Sequence, residues 1–488
     1  MSGGHATLPR VTDVDSSTPV PSDAAAPALT ADDLLRHTGG RLLARSSRPI
    51  RGGAVDSRLV APGNLFVALP GERTDGHDHL TEAIARGAAA VFVTRPVADP
   101  AALGDVTVVR VADGQAALGA VAAGWRRRFS PLVVGVTGSI AKTSTKEAAA
   151  AVLGAARRTL RTEGNMNNEI GLPLTLLRLG PEHEAAVLEM GMYVGGEIAE
   201  LAAMAMPSIG VVTAVQPVHL SRIGSLEAVE QAKGELLEAL PADGTAILNE
   251  DDPIVARMDG RSVARALRYG FAETAAVRAE AVTSAGPDGM RFQLRTPAGE
   301  RAVTIPALGR LSVHNALAGA AVGLAAGVDL DTIVAALQGG WSAPHRAELV
   351  RLRGATIVDD SYNASPGSVL AALDLLAGMP GRRVAVLGTM LELGDGHGAG
   401  HVSVGEAAGR TVELLVVVGP EASGIVEGAR AAGLDSARIH HLEDVEGALD
   451  VLRPRLRDGD TILVKASRGI GLDRVVDALR LELGERPR

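Results

Sequence analysis

Short apolar runs alternate along this chain with longer segments in which apolar residues recur at helical spacing. In the middle of the chain, the apolar runs are 132–136, 185–188, 209–213 and 245–248, and the segment 226–240 is helical in pattern. Buried strands that alternate with helices are typical of a mostly parallel sheet covered on both faces. The sequence therefore predicts an α/β fold.

The same alternation continues on both sides of this middle block. Before it, apolar runs at 64–69 and 89–93 precede a helical stretch at 116–128. After it come a polar, strand-like insertion at 277–306 and an alanine-rich helical pair. Four further apolar runs then alternate with helices, at 356–358, 383–388, 414–418 and 461–464. This last pattern predicts a second doubly wound unit.

These blocks predict three α/β domains behind a tail. We expect a disordered tail at 1–28, because it is rich in Ser, Thr, Pro, Ala and Asp. A small α/β N-terminal domain would follow at 29–129 and a central parallel-sheet domain at 130–342. A Rossmann-like, doubly wound C-terminal domain would occupy 343–488.

Composition excludes several classes of function. The chain of 488 residues has no cysteine, so disulfides, zinc-thiolate sites and thiol nucleophiles are excluded. Its formal net charge of −9 argues against nonspecific nucleic-acid binding. No apolar run reaches bilayer length, and the N-terminus lacks a charged-then-apolar export pattern. We therefore expect a cytoplasmic protein that binds no nucleic acid and does not span a membrane.

The most informative motif is the small-residue turn 137–144, which follows the apolar run 132–136. A strand that enters such a turn, ends in Lys-Thr and continues as a helix is the layout of a phosphate cradle. The alternative is a plain strand-turn-helix. We favour a nucleoside triphosphate site in a P-loop ATPase-like central domain. Its candidate residues are Gly138, Ser139, Ala141, Lys142, Thr143 and Ser144.

One position of this turn departs from the usual pattern. Glycine commonly precedes the lysine, because the backbone must approach phosphate closely, in some loops with a positive φ. Ala141 stands there in this chain. Alanine can fit there if its φ is negative and its methyl group points away from the ligand.

Two residues of the central block, Glu189 and His219, are candidates for metal binding, whereas a third, Lys233, has a simpler explanation. Glu189 ends an apolar strand, where a carboxylate can hold Mg²⁺ beside the cradle or simply face solvent. His219 can ligate a divalent metal, although a lone histidine is more often structural. Lys233 lies three residues after Glu230, which is sufficient to explain it as a surface ion pair.

Three other segments carry polar groups suited to ligands. The run 164–169 contains Asn167 and Asn168, whose amides suit either a polar ligand or a turn. Tyr362 and Asn363 follow the strand 356–358, at a position where open α/β sheets bind ligands or where a helix begins. Residues 341–344 look like a linker between domains. Arg346 stands just past this linker, where it could reach a phosphate in the neighbouring domain or remain on the surface.

Together, these segments resemble the Mur ligase family over about residues 29–484. The most specific segments are 164–171, 360–366 and 387–394, and they resemble the family's D-alanyl-D-alanine-adding members. The segments 56–58, 62–69 and 75–77 resemble the family's uridine-nucleotide-binding N-terminal domain.

The resemblance implies ATP-driven amide formation in peptidoglycan precursor synthesis. The terminal carboxylate of UDP-N-acetylmuramoyl-tripeptide would attack the γ-phosphate of ATP to give an acyl phosphate and ADP. The amine of D-Ala-D-Ala would then displace phosphate. ATP and Mg²⁺ would be the cofactors, and we expect a monomer.

The resemblance also implies roles for individual residues. Lys142, Lys233 and His219 would be catalytic, and Lys233 matches a lysine that the family carbamylates with CO₂. The metal would be held by Thr143, Glu189, His219 and the carbamylated Lys233. ATP would also contact Asn315, Arg346 and Asp360. Substrates would contact Ser57, Arg58, Asn167, Asn168, Tyr362 and Asn363.

Two departures from the family pattern leave alternatives open. Ala141 replaces the loop glycine, and the run 216–219 departs from the small residues that usually precede the family's histidine. One alternative is a ligase of the same family that uses another amine. The other is a non-catalytic nucleotide-binding protein.

Overall fold

The computed structural model describes residues 27–71, 74–217 and 223–486, and its elements form three sheets. The predicted fold class, three α/β domains, is confirmed. All but the last two positions of the predicted tail lie outside the described residues. Within the part of the chain that the structure describes, no helix combines the length and apolar character needed to cross a bilayer.

The N-terminal sheet has the order β1-β5-β4-β3-β2, with β1 antiparallel to β5 and the other neighbours parallel. Its strands are β1 (Arg41–Ala44), β2 (Gly53–Ala54), β3 (Leu65–Val67), β4 (Ala90–Val93) and β5 (Thr107–Arg110). The main helices are Ala31–Thr38, Leu80–Ala85 and Gly114–Arg126. The first helix begins at a reciprocal cap, since Thr30 Oγ1 accepts from Asp33 N–H at 3.2 Å and Asp33 Oδ2 accepts from Thr30 N–H at 2.9 Å.

The central sheet has the order β14-β13-β12-β11-β10-β9-β6-β8-β7 and is parallel from β12 to β7. The predicted polar insertion forms its antiparallel extension, β12 to β14. The strands are β6 (Leu132–Thr137), β7 (Thr159–Arg161), β8 (Ala185–Glu189), β9 (Ile209–Val212), β10 (Thr245–Asn249), β11 (Arg265–Gly270), β12 (Val277–Ser284), β13 (Met290–Thr296) and β14 (Gly299–Ile305). The helices include Lys142–Gly154, Gly171–Leu176, Glu197–Ala205, Leu226–Glu238, Gly309–Ala325 and Leu330–Gly339.

The C-terminal sheet has the order β15-β16-β20-β17-β18-β19, and only β15 runs antiparallel to its neighbour. Its strands are β15 (Glu348–Arg351), β16 (Ala355–Asp359), β17 (Arg383–Gly388), β18 (Leu414–Val418), β19 (Ile439–Leu442) and β20 (Asp460–Lys465). Its helices are Pro366–Ala377, His397–Thr411, Ser423–Ala431, Val445–Leu452 and Asp473–Leu483. Apolar cores on both faces of the sheet make this a doubly wound domain.

The N-terminal domain and one face of the central sheet share a continuous apolar core. Two residues at the end of the helix Gly114–Arg126 reinforce this contact. Trp125 Nε1 donates to Leu179 O at 2.8 Å, and the buried Arg126 donates from Nε to Ala205 O at 2.9 Å. Because apolar burial stabilises in proportion to area, this shared core joins the two domains firmly.

Candidate active site

A cavity of about 1120 Å³ lies between the central and C-terminal domains. One wall, which we call the central wall, is formed by the turn after β6 and by residues beyond the carboxyl end of β8. The opposite wall comes from the connector, which we define as residues 340–347, and from the strand ends of the C-terminal sheet. The cavity brings together most predicted site residues: Ser139, Ala141, Lys142, Thr143, Ser144, Asn167, Asn168, Glu189, Asn315, Arg346, Asp360, Tyr362 and Asn363.

The turn after β6, residues 138–141, is called the phosphate turn after its predicted ligand. It is held by the segment that follows β9. Gly138 has a φ of 149°, and a Cβ there would lie 1.9 Å from Thr213 Oγ1, so only glycine fits. Ser139 N–H donates to Ala214 O at 2.8 Å, and Ser139 Oγ accepts from Gln216 N–H at 2.9 Å. The helix Lys142–Gly154 begins at the cavity, and its N-terminal dipole favours an anionic ligand there.

Ala141 does not have the negative φ that was the stated condition for alanine at this position. Its φ is 64° and its ψ is 1°, which is the left-handed region. Thr213 Oγ1 donates to Ile140 O at 2.6 Å and anchors the backbone just before it, so the turn keeps a glycine-like conformation despite the alanine. Alanine is accommodated without that condition because tertiary contacts outweigh a local cost of about 1 kcal/mol.

Lys142 lies where the two walls meet. Its Nζ donates to Gly138 O at 2.7 Å. Burial lowers the pKa of Lys142, the charge of Glu189 opposes that shift, and Arg346 lowers the pKa further. A cation between a carboxylate and a second cation is suited to a polyanionic ligand that enters between them.

Glu189 presents a buried carboxylate to the cavity with one oxygen uncommitted. The residue is 2% exposed, and its Oε1 accepts from Asn167 Nδ2 at 2.8 Å. Its Oε2 is buried and has no hydrogen-bond partner among the described residues. A buried carboxylate oxygen without a donor is costly, and a cation would satisfy it. This geometry fits a metal-ligand role and not a solvent-exposed strand end.

Lys233 is buried and does not form a surface ion pair. The residue is 3% exposed, and burial, aided by the charge of Lys142, lowers its pKa well below the ordinary value. Glu230 pairs instead with Arg257, at 2.6 Å between Oε2 and Nη2. The ion-pair interpretation was wrong because Lys233 lies on the inward face of the helix Leu226–Glu238.

The predicted metal ligand His219 lies outside the described residues. Among the residues that are described, no group of three or more histidines or carboxylates is arranged to hold a metal ion. Of the predicted metal ligands, Glu189 and Thr143 are described and line the cavity, and both carry oxygen atoms that suit Mg²⁺.

Asn315 lies on the helix Gly309–Ala325 and is 5% exposed. Its Oδ1 accepts from Thr145 Oγ1 at 3.1 Å, which ties it to the helix behind the phosphate turn. Oδ1 is thereby committed, and the Nδ2 donors are the groups left for a ligand.

The C-terminal wall carries a tyrosine between two arginines. The guanidinium carbon of Arg346 lies 4.1 Å from the centroid of the Tyr362 ring, and that of Arg468 lies 4.9 Å from it. Burial raises the pKa of the Tyr362 phenol, and both arginines oppose the shift. Asp360 accepts from Lys465 Nζ at 2.6 Å. Lys465 and Arg468 were not singled out from the sequence. Both come just after the predicted strand 461–464, as Asp360 and Tyr362 come just after the predicted strand 356–358. That shared position is the signal that could have identified them.

Two predicted substrate residues lie elsewhere. Ser57 and Arg58 belong to the N-terminal domain and do not line the cavity. Ser57 Oγ donates to Glu82 Oε2 at 2.7 Å, and Arg58 pairs with Asp56 at 2.6 Å. Asn168 lines the cavity, yet its Oδ1 also accepts from Gly171 N–H at 2.9 Å, so it has the turn role as well.

Family models match nearly the whole architecture. The Mur ligase middle domain matches residues 136–323, the Mur ligase glutamate ligase domain matches 345–468, and the Mur ligase family catalytic domain matches 49–126. The chain belongs to the Mur ligase family. The predicted resemblance is thus confirmed, and the cavity lies between the domains that the first two models cover.

Relatives within the Mur ligase family include two UDP-N-acetylmuramoyl-tripeptide–D-alanyl-D-alanine ligases. The one from Escherichia coli K12 is 39% identical, over 87% of this chain and 92% of the relative. The one from Bacillus subtilis 168 is 35% identical, over 88% of this chain and 93% of the relative.

Solved structures of the Mur ligase family agree in fold. A crystal structure of MurF from Acinetobacter baumannii has a TM-score of 0.84 at 30% identity, covering 94% of this chain and all of that one. MurF ligase from Thermotoga maritima, in complex with ADP, has a TM-score of 0.77 at 30% identity, covering 89% of this chain and 98% of that one.

Proposed function

We propose that this protein is an ATP-dependent amide ligase that adds D-alanyl-D-alanine to UDP-N-acetylmuramoyl-tripeptide in peptidoglycan precursor synthesis. The observation that carries the proposal is the cavity in which Lys142, the uncommitted oxygen of Glu189 and Arg346 meet. The relatives named above carry the same activity in their names over almost all of their length. The ADP complex of the Thermotoga relative supports ATP as the nucleotide.

The chemistry needs charge compensation first. The tripeptide carboxylate and the γ-phosphate are both anions, so a direct approach is unfavourable without cations. Lys142 is placed to neutralise charge on the transferred phosphate from the central wall, and Arg346 to do so from the opposite wall. Mg²⁺, when bound, would supply further positive charge to stabilise the phosphate. Glu189 and Thr143 would hold it, with His219 as a third ligand.

Lys233 is placed to become a further carboxylate. Its lowered pKa favours the neutral amine, which is the form that reacts with CO₂. The amine nitrogen would form a bond to the carbon of CO₂ and lose a proton, giving a carbamate. A carbamate would carry a negative charge toward Lys142, and its attraction to that cation and to a bound metal would offset the cost of burying the charge.

After phosphorylation, the acyl phosphate must react with an amine before water does. The two-walled cavity would exclude water when substrates fill it. The amine of D-Ala-D-Ala would attack the acyl carbon, the carbon–nitrogen bond would form and phosphate would leave. Asn167, Asn168, Tyr362 and Asn363 would contact the peptide substrates, while Ser57 and Arg58 would serve the uridine end. We further propose that the protein acts as a cytoplasmic monomer.

The decisive test is product identification by mass spectrometry with purified protein, precursor, ATP and Mg²⁺. D-Ala-D-Ala is expected to give the pentapeptide product with stoichiometric phosphate release. Single amino acids in its place serve as the control. Product with a single amino acid but not with the dipeptide would favour a family member with another amine. ATP binding without phosphate release from any pair would favour the non-catalytic alternative that Ala141 suggests.

A further inference from the structure

The connector holds its arginine in an unusual backbone setting. Arg346 is flanked by His345, with a φ of 59°, and by Ala347, with a φ of 53°. Neither flanking residue is glycine, so each left-handed conformation costs about 1 kcal/mol. Such strain persists only where surrounding contacts impose it.

His345 supplies the strongest of these contacts. Its Nδ1 lies 2.8 Å from Asp359 Oδ2, at the carboxyl end of β16. Asp359 is fully buried, and its other oxygen accepts from the backbone N–H of Ser361 at 3.1 Å and from its hydroxyl at 2.6 Å. The carboxylate is therefore rigidly placed, and a hydrogen bond to it fixes the imidazole.

Backbone contacts fix the residues on each side of Arg346. Tyr362 N–H donates to His345 O at 3.2 Å, and Ala347 N–H donates to Asp360 Oδ1 at 3.2 Å. The Arg346 side chain lies over Tyr362, from the same loop that supplies these partners. Arg346 is thus tied to the C-terminal sheet.

We propose that His345 is a positioning residue for Arg346, whose guanidinium it presents to the phosphate end of bound ATP. The hydrogen bond from His345 to Asp359 locks the connector in its strained conformation and sets the direction of the neighbouring arginine. This inference rests on the proposed function only in taking Arg346 as a phosphate contact.

The test measures ATP affinity by titration calorimetry without an acceptor, so its outcome does not depend on which amine the enzyme uses. His345→Ala and His345→Gly remove the donor and are expected to weaken ATP binding about tenfold, the usual effect of losing a hydrogen bond to a charged group. His345→Asn keeps a donor at the same distance from the backbone and tolerates a positive φ, and it is expected to stay within about threefold of the wild type.

A double-mutant cycle separates positioning from general stability. In an Arg346→Ala background, His345→Ala is expected to add less than about a twofold loss, because there is no guanidinium left to place. If His345→Ala fails to fold, Asp359→Asn tests the same hydrogen bond from its other end, with the same dependence on Arg346.

The matched control is Arg382→Gln, since Arg382 also pairs with a buried aspartate of this sheet, Asp460, at 2.7 Å. It is expected to lower Tm without changing ATP affinity. Unchanged affinity in His345→Ala, equal losses in His345→Asn and His345→Ala, or a full additive loss in the Arg346→Ala background would each overturn the proposal. Failure of the proposed function would appear separately, as absence of the pentapeptide product from the wild type.

Discussion

The two walls of the cavity both place a cationic side chain next to left-handed, non-glycine backbone, but they hold that backbone in different ways. At Ala141 the surrounding turn is fixed mainly by contacts of its backbone with the segment after β9. At His345 the conformation is fixed by the residue's own side chain, through buried Asp359. The phosphate turn should therefore tolerate a change at its left-handed position, whereas the connector should not.

The largest effect is expected at the central wall itself. By the proposed mechanism, Lys142→Ala removes the charge that would face the transferred phosphate, and we expect turnover to fall about a thousandfold, as when a main electrostatic stabiliser is removed. Phosphate release under saturating ATP is the measurement. Near-normal turnover would show that the central wall does not take part in the reaction, and it would remove the basis for comparing the two walls.

Lys233→Ala should also lower turnover, by about a hundredfold or more, because the proposed carbamate would be lost from the proposed metal site. Added bicarbonate should not restore this variant, whereas wild-type activity should fall in CO₂-depleted buffer and recover on addition. Kinetics identical to the wild type would mean that the buried lysine has only a structural role.

Substituting glycine at each left-handed position tests the comparison most directly. Ala141→Gly should keep or improve ATP affinity, and should raise the free energy of unfolding by up to about 1 kcal/mol through relief of strain. His345→Gly relieves similar strain but also loses the bond to Asp359. His345→Gly is therefore expected to weaken ATP binding while Ala141→Gly does not, and a similar loss in both variants would show that both walls are held in the same way.

The smallest expected effect is a pH dependence at the connector. The hydrogen bond to Asp359 raises the pKa of His345, burial opposes the shift, and the charges of Asp359, Glu348 and Asp473 add to it. A raised folded-state pKa means that the stabilisation is complete below the unfolded pKa of about 6.5 and is lost as pH rises through the folded value. The Tm advantage of the wild type over His345→Asn should therefore shrink from pH 6 to pH 9, at roughly constant ionic strength. An advantage that grows with pH would contradict the charged pair.

Sequence patterns predicted the parts of this molecule that depend on local order. The apolar run 132–136 and the turn behind it became β6 and the phosphate turn, and the polar insertion became the antiparallel extension of the central sheet. The domain boundaries and the roles of the site residues stay predictions.

Local sequence patterns did not show two features that tertiary contacts decide, the φ of Ala141 and the burial of Lys233. Nothing in the sequence around Ala141 shows that Thr213 will anchor the neighbouring carbonyl. Lys233 stands at helical spacing from Glu230, but which face of that helix is buried depends on the sheet it packs against. Two other contacts also could not be read from local sequence. Lys465 contacts Asp360, which is far from it in the chain, and His345 contacts Asp359 across the turn between β15 and β16.

The apolar core shared by the N-terminal and central domains has a mechanical consequence. Because Trp125 and Arg126 tie these domains together, they should melt as one cooperative unit, with the C-terminal domain as a second unit that ligands can couple to the first. Opening of the enzyme to admit a long sugar-nucleotide peptide would then be a single hinge movement of the last third of the chain.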